Sequence, residues 1–195
     1  MKIIFFDYHG VVGKWDEEIL FDNISNMFNI NKEKINEIFY NQNWLNEIEK
    51  GNKNSVQLLN EFNKISNKSI TLDDFKKVLN GVYYDNDEIV NFIKSIKDKY
   101  TLFVTQNSMD LDEEYQLKNL KSFKLFDKIY SSCKLKARKD NILFFKQIID
   151  ENNLKTEDII YFDDVKKYVD TAKTLSINSH VFENLEQIKR LLNEK

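Results

Sequence analysis

Short, continuously apolar runs, most of them ending at a polar or acidic residue, recur along this chain with amphipathic segments between them. Buried parallel strands consist of unbroken apolar runs because helices cover both faces of the sheet. The pattern therefore predicts an α/β fold with a doubly wound, Rossmann-like parallel sheet. The predicted strands are residues 2–6, 100–104, 127–130, 158–162 and, more weakly, 179–182. Helical patterns occupy residues 86–99, 109–123, 140–153, 164–175 and 183–195.

Residues 14–86 interrupt this alternation, because their apolar positions recur at helical spacing. The sequence "TLDD" at 71–74 is typical of a helix start, and Gly51 and Gly81 punctuate the segment. We therefore predict a helical module over residues 14–86, inserted into an α/β core made of residues 1–13 and 87–195. The module holds 9 lysines and 12 acidic residues, so it carries the whole net charge of −3 and is unsuited to binding a polyanion.

Composition excludes several classes of partner. The formal net charge is −3 and the sequence contains no long block of like charges, so we expect no nucleic-acid and no membrane partner. The apolar run at the N-terminus stops at Asp7 and is too short for a signal-peptide core, and no run is long enough to span a bilayer. A single cysteine, Cys133, allows no internal disulfide. A cytoplasmic location is the expectation.

Three of the predicted strands end at residues that can carry chemistry. Asp7 ends the first strand, Thr105 ends the second, and Asp163 with Asp164 ends the fourth, while a basic loop containing Lys139 follows the third. The carboxyl ends of parallel strands share one edge of the sheet, where ligands bind. Carboxylates, a hydroxyl and an ammonium group together suit a divalent cation and a phosphoryl group. Each residue alone is typical of a turn or helix cap, but their joint order makes coincidence a weak explanation.

Four sequence motifs resemble those of the haloacid dehalogenase superfamily of hydrolases. "FFDYHGVV" is similar to the first motif, in which an Asp-x-Asp-Gly signature follows a strand. "LFVTQNS" resembles the second, and "ARKDNILFFKQII" resembles the third, with Asp140 where a proline is usual. "IIYFDDVKKYVDTAKTLSIN" is similar to the fourth, an acidic pair followed by a helix. Many members carry a helical cap between the first and second motifs, which would account for the inserted module.

The resemblance implies specific roles for these residues. Asp7 would be the nucleophile, and the turn beside it would require Gly10, with Gly13 in a flexible segment leading to the cap. Mg²⁺ would be held by Asp7, Asp163 and the backbone carbonyl of His9, with Asp164 in support. The phosphoryl oxygens would be bound by Thr105, Gln106 and Lys139. The expected reaction is hydrolysis of a small phosphorylated metabolite through an aspartyl-phosphate; the oligomeric state and the substrate are not predicted.

His9 departs from the family pattern, because phosphatases of the family have an aspartate there that acts as the general acid and base. Three hypotheses remain open. His9 could supply the acid–base function, since an unperturbed imidazole titrates near pH 6.5. The function could be lost, leaving a slow hydrolase or a protein that binds a phosphorylated ligand or a protein partner. The leaving group could also need no acid, as in dehalogenation or phosphonate cleavage.

Two features argue against the dehalogenase alternative. Residues 14–86 contain no arginine that could bind a substrate carboxylate. The Asp163–Asp164 pair is retained, which suits a metal site that dehalogenases do without. Phosphonate cleavage would need a lysine from the cap, for which Lys50 and Lys53 are available, although nothing in the sequence distinguishes them from surface lysines.

Overall fold

A five-stranded parallel sheet organises the chain in the computed structural model, which describes residues 2–194. All five predicted strands form, within one or two residues of the expected bounds. The sheet strands are β1 (Ile3–Asp7), β4 (Thr101–Gln106), β5 (Lys128–Ser131), β6 (Ile159–Asp163) and β7 (Asn178–Val181). Their order is β5-β4-β1-β6-β7, so β1 is central and the chain winds outward from it in both directions. The predicted α/β, Rossmann-like fold is confirmed.

Helices cover both faces of this sheet. They are α6 (Asp87–Ile96), α7 (Asp112–Asn119), α8 (Ser132–Leu135), α9 (Ile142–Asn152), α10 (Lys166–Lys173) and α11 (Leu185–Leu192). Alternate strand residues point to opposite faces, so Phe6 belongs to the apolar cluster beneath α6 and α11, and Phe5 to the cluster beneath α9. The two clusters leave the carboxyl ends of the strands as the polar edge of the sheet.

A helical insert leaves the core directly after β1. Its helices are α1 (Glu17–Phe28), α2 (Lys32–Asn36), α3 (Trp44–Glu49), α4 (Ser55–Ser66) and α5 (Leu72–Phe75), with a π-helix at Glu37–Asn41 and a 3₁₀ turn at Lys76–Leu79. The Thr71 side chain caps α5, as "TLDD" predicted. An antiparallel ribbon joins the insert to the core through β2 (Gly13–Trp15) and β3 (Tyr83–Asp85). The ribbon lies across both predicted boundaries, 14 and 86, and the division of the chain into two domains remains a prediction.

Asparagine ends several helices of this glycine-poor chain. Four helices are followed by an asparagine in the left-handed backbone conformation, and the backbone N–H of each asparagine donates to a carbonyl of the last helical turn. These residues are Asn29, Asn67, Asn153 and Asn193. Asparagine tolerates this conformation better than most other residues, after glycine. None of the helices within residues 2–194 combines the length and apolar character required to cross a bilayer.

The insert has an aromatic centre of its own around Phe62. This fully buried ring lies 5.1 Å from Phe28 and 6.3 Å from both Phe39 and Phe75, measured between ring centroids. The four rings come from α1, the π-helix, α4 and α5. The side chains of the insert therefore pack around a continuous apolar centre.

We expect Phe62→Ala to lower the free energy of unfolding by about 3–5 kcal/mol, because it opens a cavity between three other rings. Val56→Ala, on the exposed side of the same helix, should change it by less than about 0.5 kcal/mol. Urea unfolding measured by circular dichroism tests both. Equal losses for the two variants would show that the insert is not packed around Phe62.

Candidate functional site

Three carboxylates meet where the central strands end. Asp7 is the last residue of β1 and Asp163 the last of β6, both buried, and the exposed Asp164 follows. One oxygen from each lies within 4.8 Å of the others. The register of β1 against β6 aligns Phe6 with Phe162, so residues far apart in sequence end side by side. Asp7 and Asp163 therefore lie together at one edge of the sheet, as the predicted order of the strands indicated.

Lys139 lies between two of these carboxylates. Its Nζ atom is 2.5 Å from Asp7 Oδ1 and 2.7 Å from Asp163 Oδ2, and the side chain is 2% exposed. Burial alone would lower the pKa of this ammonium, but the two carboxylates raise it above its usual value. Burial raises the pKa of Asp7 well above its usual range; the Lys139 charge opposes this shift, and Asp163 adds to it. The ammonium therefore offsets a repulsion that the fold imposes.

The strand alternation separates Thr105 from Gln106. Thr105 pairs with Asp7 across β1 and β4, and its hydroxyl donates to the Phe6 carbonyl over 3.3 Å. Gln106 points to the opposite face, where its amide exchanges hydrogen bonds of 2.8 and 3.0 Å with Gln116 and also contacts Ser131. The structure therefore does not bring Gln106 into the group around Asp7, and its predicted role as a phosphate ligand has no support. A strand period of two makes adjacent residues unable to share a face.

Asn107 lies in this site instead. Its Oδ1 atom accepts a 3.0 Å hydrogen bond from the backbone N–H of Lys139, which ties the loop after α8 to the end of β4. The "TQNS" sequence contained this residue, but only its placement one step beyond the strand distinguishes it from Gln106. Asp140, which stands where the family motif has proline, forms a 2.7 Å ion pair with Lys167 on α10.

Gly10 makes close approach to the third carboxylate possible. Its φ of +95° lies in the left-handed region, and a Cβ there would come within 2.1 Å of Asp164 Oδ2. The turn is closed by Gly10 N–H to Gly13 O and by Gly13 N–H to Tyr8 O, both 2.8 Å. These bonds do not engage the His9 carbonyl, the predicted metal ligand. A side chain at position 10 would displace Asp164 from the cluster.

His9 has an aromatic surrounding rather than an ionic one. Its imidazole stacks on Tyr83 at 5.7 Å and meets the edge of Tyr8 at 5.1 Å. The Nε2 atom is buried without a hydrogen-bond partner among the described residues. Burial lowers the pKa of His9 to about 3, with a contribution from the Lys139 charge. The ring is therefore neutral at pH 7, which makes it a poor proton donor.

A cavity of about 160 Å³ opens beside His9, between the insert and the core. The insert and its ribbon contribute Trp15, Leu45, Glu49 and Tyr83. Core residues complete the wall, and they are His9, Asn107, Ser108, Met109, Asp112 and Tyr168. His9 thus borders both this cavity and the turn that carries the carboxylates. Nothing in the sequence distinguished the residues that the insert contributes to this wall from ordinary packing residues. Trp15 is the one that lies close to the first motif.

Two sets of polar contacts join the insert to the core. Arg138, from the loop before Lys139, forms an ion pair and hydrogen bond with Glu49 and donates to the Tyr168 hydroxyl over 3.1 Å. Ser55, in the first turn of α4, donates from its backbone N–H and its hydroxyl to Asp110 Oδ1 over 2.9 and 2.6 Å. The insert is therefore closed over the sheet edge in this structure.

The residues present fit a divalent cation. Carboxylate oxygens are the hard donors that Mg²⁺ prefers, and three of them converge here with Asp164 open to solvent. Burial, with a smaller contribution from the Asp163 and Asp164 charges, raises the pKa of Asp7, and a bound cation would favour the charged carboxylate. Asp7, Asp163 and Asp164 are thus the candidate metal-binding set.

Removing the Lys139 charge should destabilise the folded protein when a chelator keeps the site free of metal. We expect Lys139→Met to lower the free energy of unfolding by about 3–5 kcal/mol, because Asp7 and Asp163 lose the charge that offsets their burial. Lys134→Met removes an exposed partner of Glu113 and should cost at most about 1 kcal/mol. Urea unfolding with EDTA measures both. A loss at Lys139 no greater than at Lys134 would contradict this account.

Comparison with solved structures gives whole-chain matches. A predicted HAD-like family hydrolase from Porphyromonas gingivalis superposes with a TM-score of 0.82 at 24% identity, over 100% of this chain and 99% of that one. An HAD family enzyme from Bacteroides thetaiotaomicron, in complex with magnesium and inorganic phosphate, gives 0.78 at 19% identity, over 96% and 98% of the two chains. At these identities the matches establish the fold.

Sequence comparison also gives a partial match to one curated protein and a match to a family model. Drimenol cyclase drtB of Aspergillus calidoustus is 30% identical over 81 residues, which is 42% of this chain and 15% of that protein, so the chain spans only a small part of the length of this relative. The family model described as haloacid dehalogenase-like hydrolase matches residues 16–182. With that match over most of its length, and with the fold and sheet-edge residues described above, the chain belongs to the haloacid dehalogenase-like hydrolase family.

Proposed function

We propose that the protein is a Mg²⁺-dependent phosphatase that hydrolyses a small phosphate monoester through an aspartyl-phosphate on Asp7. The observation that carries the proposal is the buried Asp7 carboxylate, held beside Lys139, Asp163 and Asp164 at the edge of the sheet. The magnesium and phosphate bound by the structurally similar enzyme of Bacteroides thetaiotaomicron are consistent with it.

The cation would be bound by Asp7, Asp163 and Asp164, and it would supply positive charge that reduces the repulsion between the Asp7 carboxylate and an anionic phosphoryl group. Lys139 supports the same step. An ammonium has three N–H donors, and two of them are directed at Asp7 and Asp163. The third is available for a phosphoryl oxygen. The buried Thr105 hydroxyl lies next to Asp7 in the sheet register, and it would have to turn from the Phe6 carbonyl to donate to a phosphoryl oxygen.

In the first half-reaction an Asp7 oxygen attacks phosphorus, the ester P–O bond breaks, and the departing alkoxide oxygen takes up a proton. Water then attacks phosphorus, which releases inorganic phosphate and restores the carboxylate. The donor of this proton is missing, because the chain has His9 at the position where the resemblance implies a proton-donating aspartate. The imidazole is packed among Tyr8, Tyr83 and Trp15, and no carboxylate from residues 2–194 forms a hydrogen bond with it. We therefore propose slow turnover, with a solvent proton used for the leaving oxygen.

The insert would act as the cap of this site. It forms part of the wall of the cavity beside His9 and is held against the core through the Glu49–Arg138 and Ser55–Asp110 contacts. Closure of this kind excludes water and selects substrates.

Dehalogenation receives no support from the geometry. Arg138, which is the only arginine near the cavity within residues 2–194, is already paired with Glu49 and Tyr168. Phosphonate cleavage through an insert lysine also lacks support. Lys53 lies over the Trp44 ring and Lys50 pairs with Glu47, and neither lines the cavity. A catalytically impaired protein that binds a phosphorylated ligand remains the second candidate, favoured by the environment of His9.

Asp7→Asn should abolish phosphate release, by on the order of 10³-fold or more, because an amide cannot act as the nucleophile. Release from a panel of phosphate monoesters, with Mg²⁺ and then with EDTA, provides the measurement. Asp170→Asn is the matched control, since Asp170 is an exposed residue of α10 paired with Lys166. Wild-type activity that survives both EDTA and the Asp7 change would refute the proposal.

His9→Asp should raise kcat by roughly 10²–10⁴-fold, which is the usual contribution of general acid–base catalysis. His9→Ala should leave kcat within a few-fold of wild type if the imidazole transfers no proton. A large loss in His9→Ala without a gain in His9→Asp would identify the imidazole as the acid. The same panel of monoesters serves for all three proteins.

A further inference from the structure

The cavity next to His9 has a size and a wall that restrict what can enter it. Its volume of about 160 Å³ is close to that of a cavity of roughly 150 Å³ that binds benzene. Three aromatic side chains, Trp15, Tyr83 and Tyr168, line it together with His9. The organic part of a ligand placed there would therefore be small, with about six non-hydrogen atoms, and would lie among aromatic rings.

Polar atoms without partners lie in the same wall. Asp112 Oδ1, Ser108 Oγ and His9 Nε2 are buried and form no hydrogen bond within the described residues. Asp112 and Ser108 are each 2% exposed. Unpaired buried polar atoms are rare in native proteins, because each costs the desolvation of the group. Asp112 Oδ1 is a hydrogen-bond acceptor, so a ligand that donates a hydrogen bond would satisfy it.

The two carboxylates in this wall differ in their partners. Glu49 is paired with Arg138, so its charge is balanced. Asp112, at the start of α7, receives the Met109 N–H at 2.7 Å on Oδ2, and no lysine or arginine within residues 2–194 forms an ion pair with it. Burial raises its pKa to about 7, and Glu49 and Asp110 add to the rise, while the neighbouring Met109 N–H and Tyr83 hydroxyl oppose it. A buried carboxylate of this kind lacks the counter-charge that such groups normally have.

Aromatic faces and a buried carboxylate without a counter-charge are together the features that recognise an organic cation. Ammonium groups are attracted to the faces of tryptophan and tyrosine within about 6 Å, and the attraction is stronger when the groups are desolvated. A second anionic group would instead be repelled by Asp112. The wall thus favours a cationic ligand with N–H donors over a neutral or acidic one.

We propose that this cavity binds a small primary ammonium group, so that the substrate is the phosphate monoester of a short amino alcohol. The inference rests on the proposed phosphatase function and adds the chemical class of its substrate. His9 and Asn107 connect the cavity to the catalytic edge: His9 follows Asp7 by two residues, and Asn107 holds the Lys139 backbone. A phosphoryl group beside Asp7 would therefore place its alcohol portion in the cavity.

The test compares two substrates of equal size, 2-aminoethyl phosphate and propyl phosphate, which differ only by NH₃⁺ in place of CH₃. With wild-type protein and saturating Mg²⁺, kcat/KM should be at least about 10-fold higher for the amine, mainly through KM. Asp112→Asn should reduce this ratio to near one. Glu114→Gln removes a charge from the same helix outside the cavity and should preserve the ratio.

The outcomes separate the two proposals. Hydrolysis of both esters with no preference for the amine would overturn the inference and leave the phosphatase function standing. If neither ester is hydrolysed, quenching of Trp15 fluorescence in a Trp44→Phe background decides the inference by binding. Tighter binding of 2-aminoethyl phosphate than of propyl phosphate would support it, and equal or absent binding would overturn it.

Discussion

The contact of Lys139 with Asp7 and Asp163 is the interaction on which this site depends. The parallel sheet places two buried carboxylates at the ends of adjacent strands, where they repel each other. A single ammonium 2.5 and 2.7 Å away offsets that repulsion. Because Lys139 also bonds through its backbone to Asn107, the third loop of the sheet edge is fixed relative to the first two. Fold stability and candidate chemistry therefore share one set of charges.

Two parts of the chain build the space around these charges. The core supplies the carboxylates and the lysine, while the insert supplies Trp15, Glu49 and Tyr83 to the wall of the cavity. The short β2–β3 ribbon links them and also carries two of those wall residues. His9 belongs to the same arrangement, since its ring stacks on Tyr83 of the ribbon. Position 9 is thus packed as part of the aromatic wall.

Much of the fold could be predicted because its signals are local. Apolar runs bounded by polar residues located the five strands of the parallel sheet but not the short β2–β3 ribbon, and periodicity located helices of the core and the insert. The order of strand-terminal residues also predicted which carboxylates would meet. Side-chain direction was harder: Thr105 and Gln106 are adjacent in sequence, yet only Thr105 faces Asp7, while Gln106 pairs with Gln116 on α7. The position of Asn107 follows from the end of the strand, which a sequence pattern locates only to within a residue or two.

The amino-acid sequence by itself determined the α/β alternation, the helical insert and the residues available at the sheet edge, because these depend on periodicity and on strand ends. Only the tertiary structure decided which side chains share a face, how the insert meets the core at Glu49 and Arg138, and that Asp112 is buried with no counter-charge from the part of the chain that the structure describes. The physical reason is that these properties arise from contacts between distant segments. Their distances and burial depend on how helices pack against the sheet, and no local pattern encodes that.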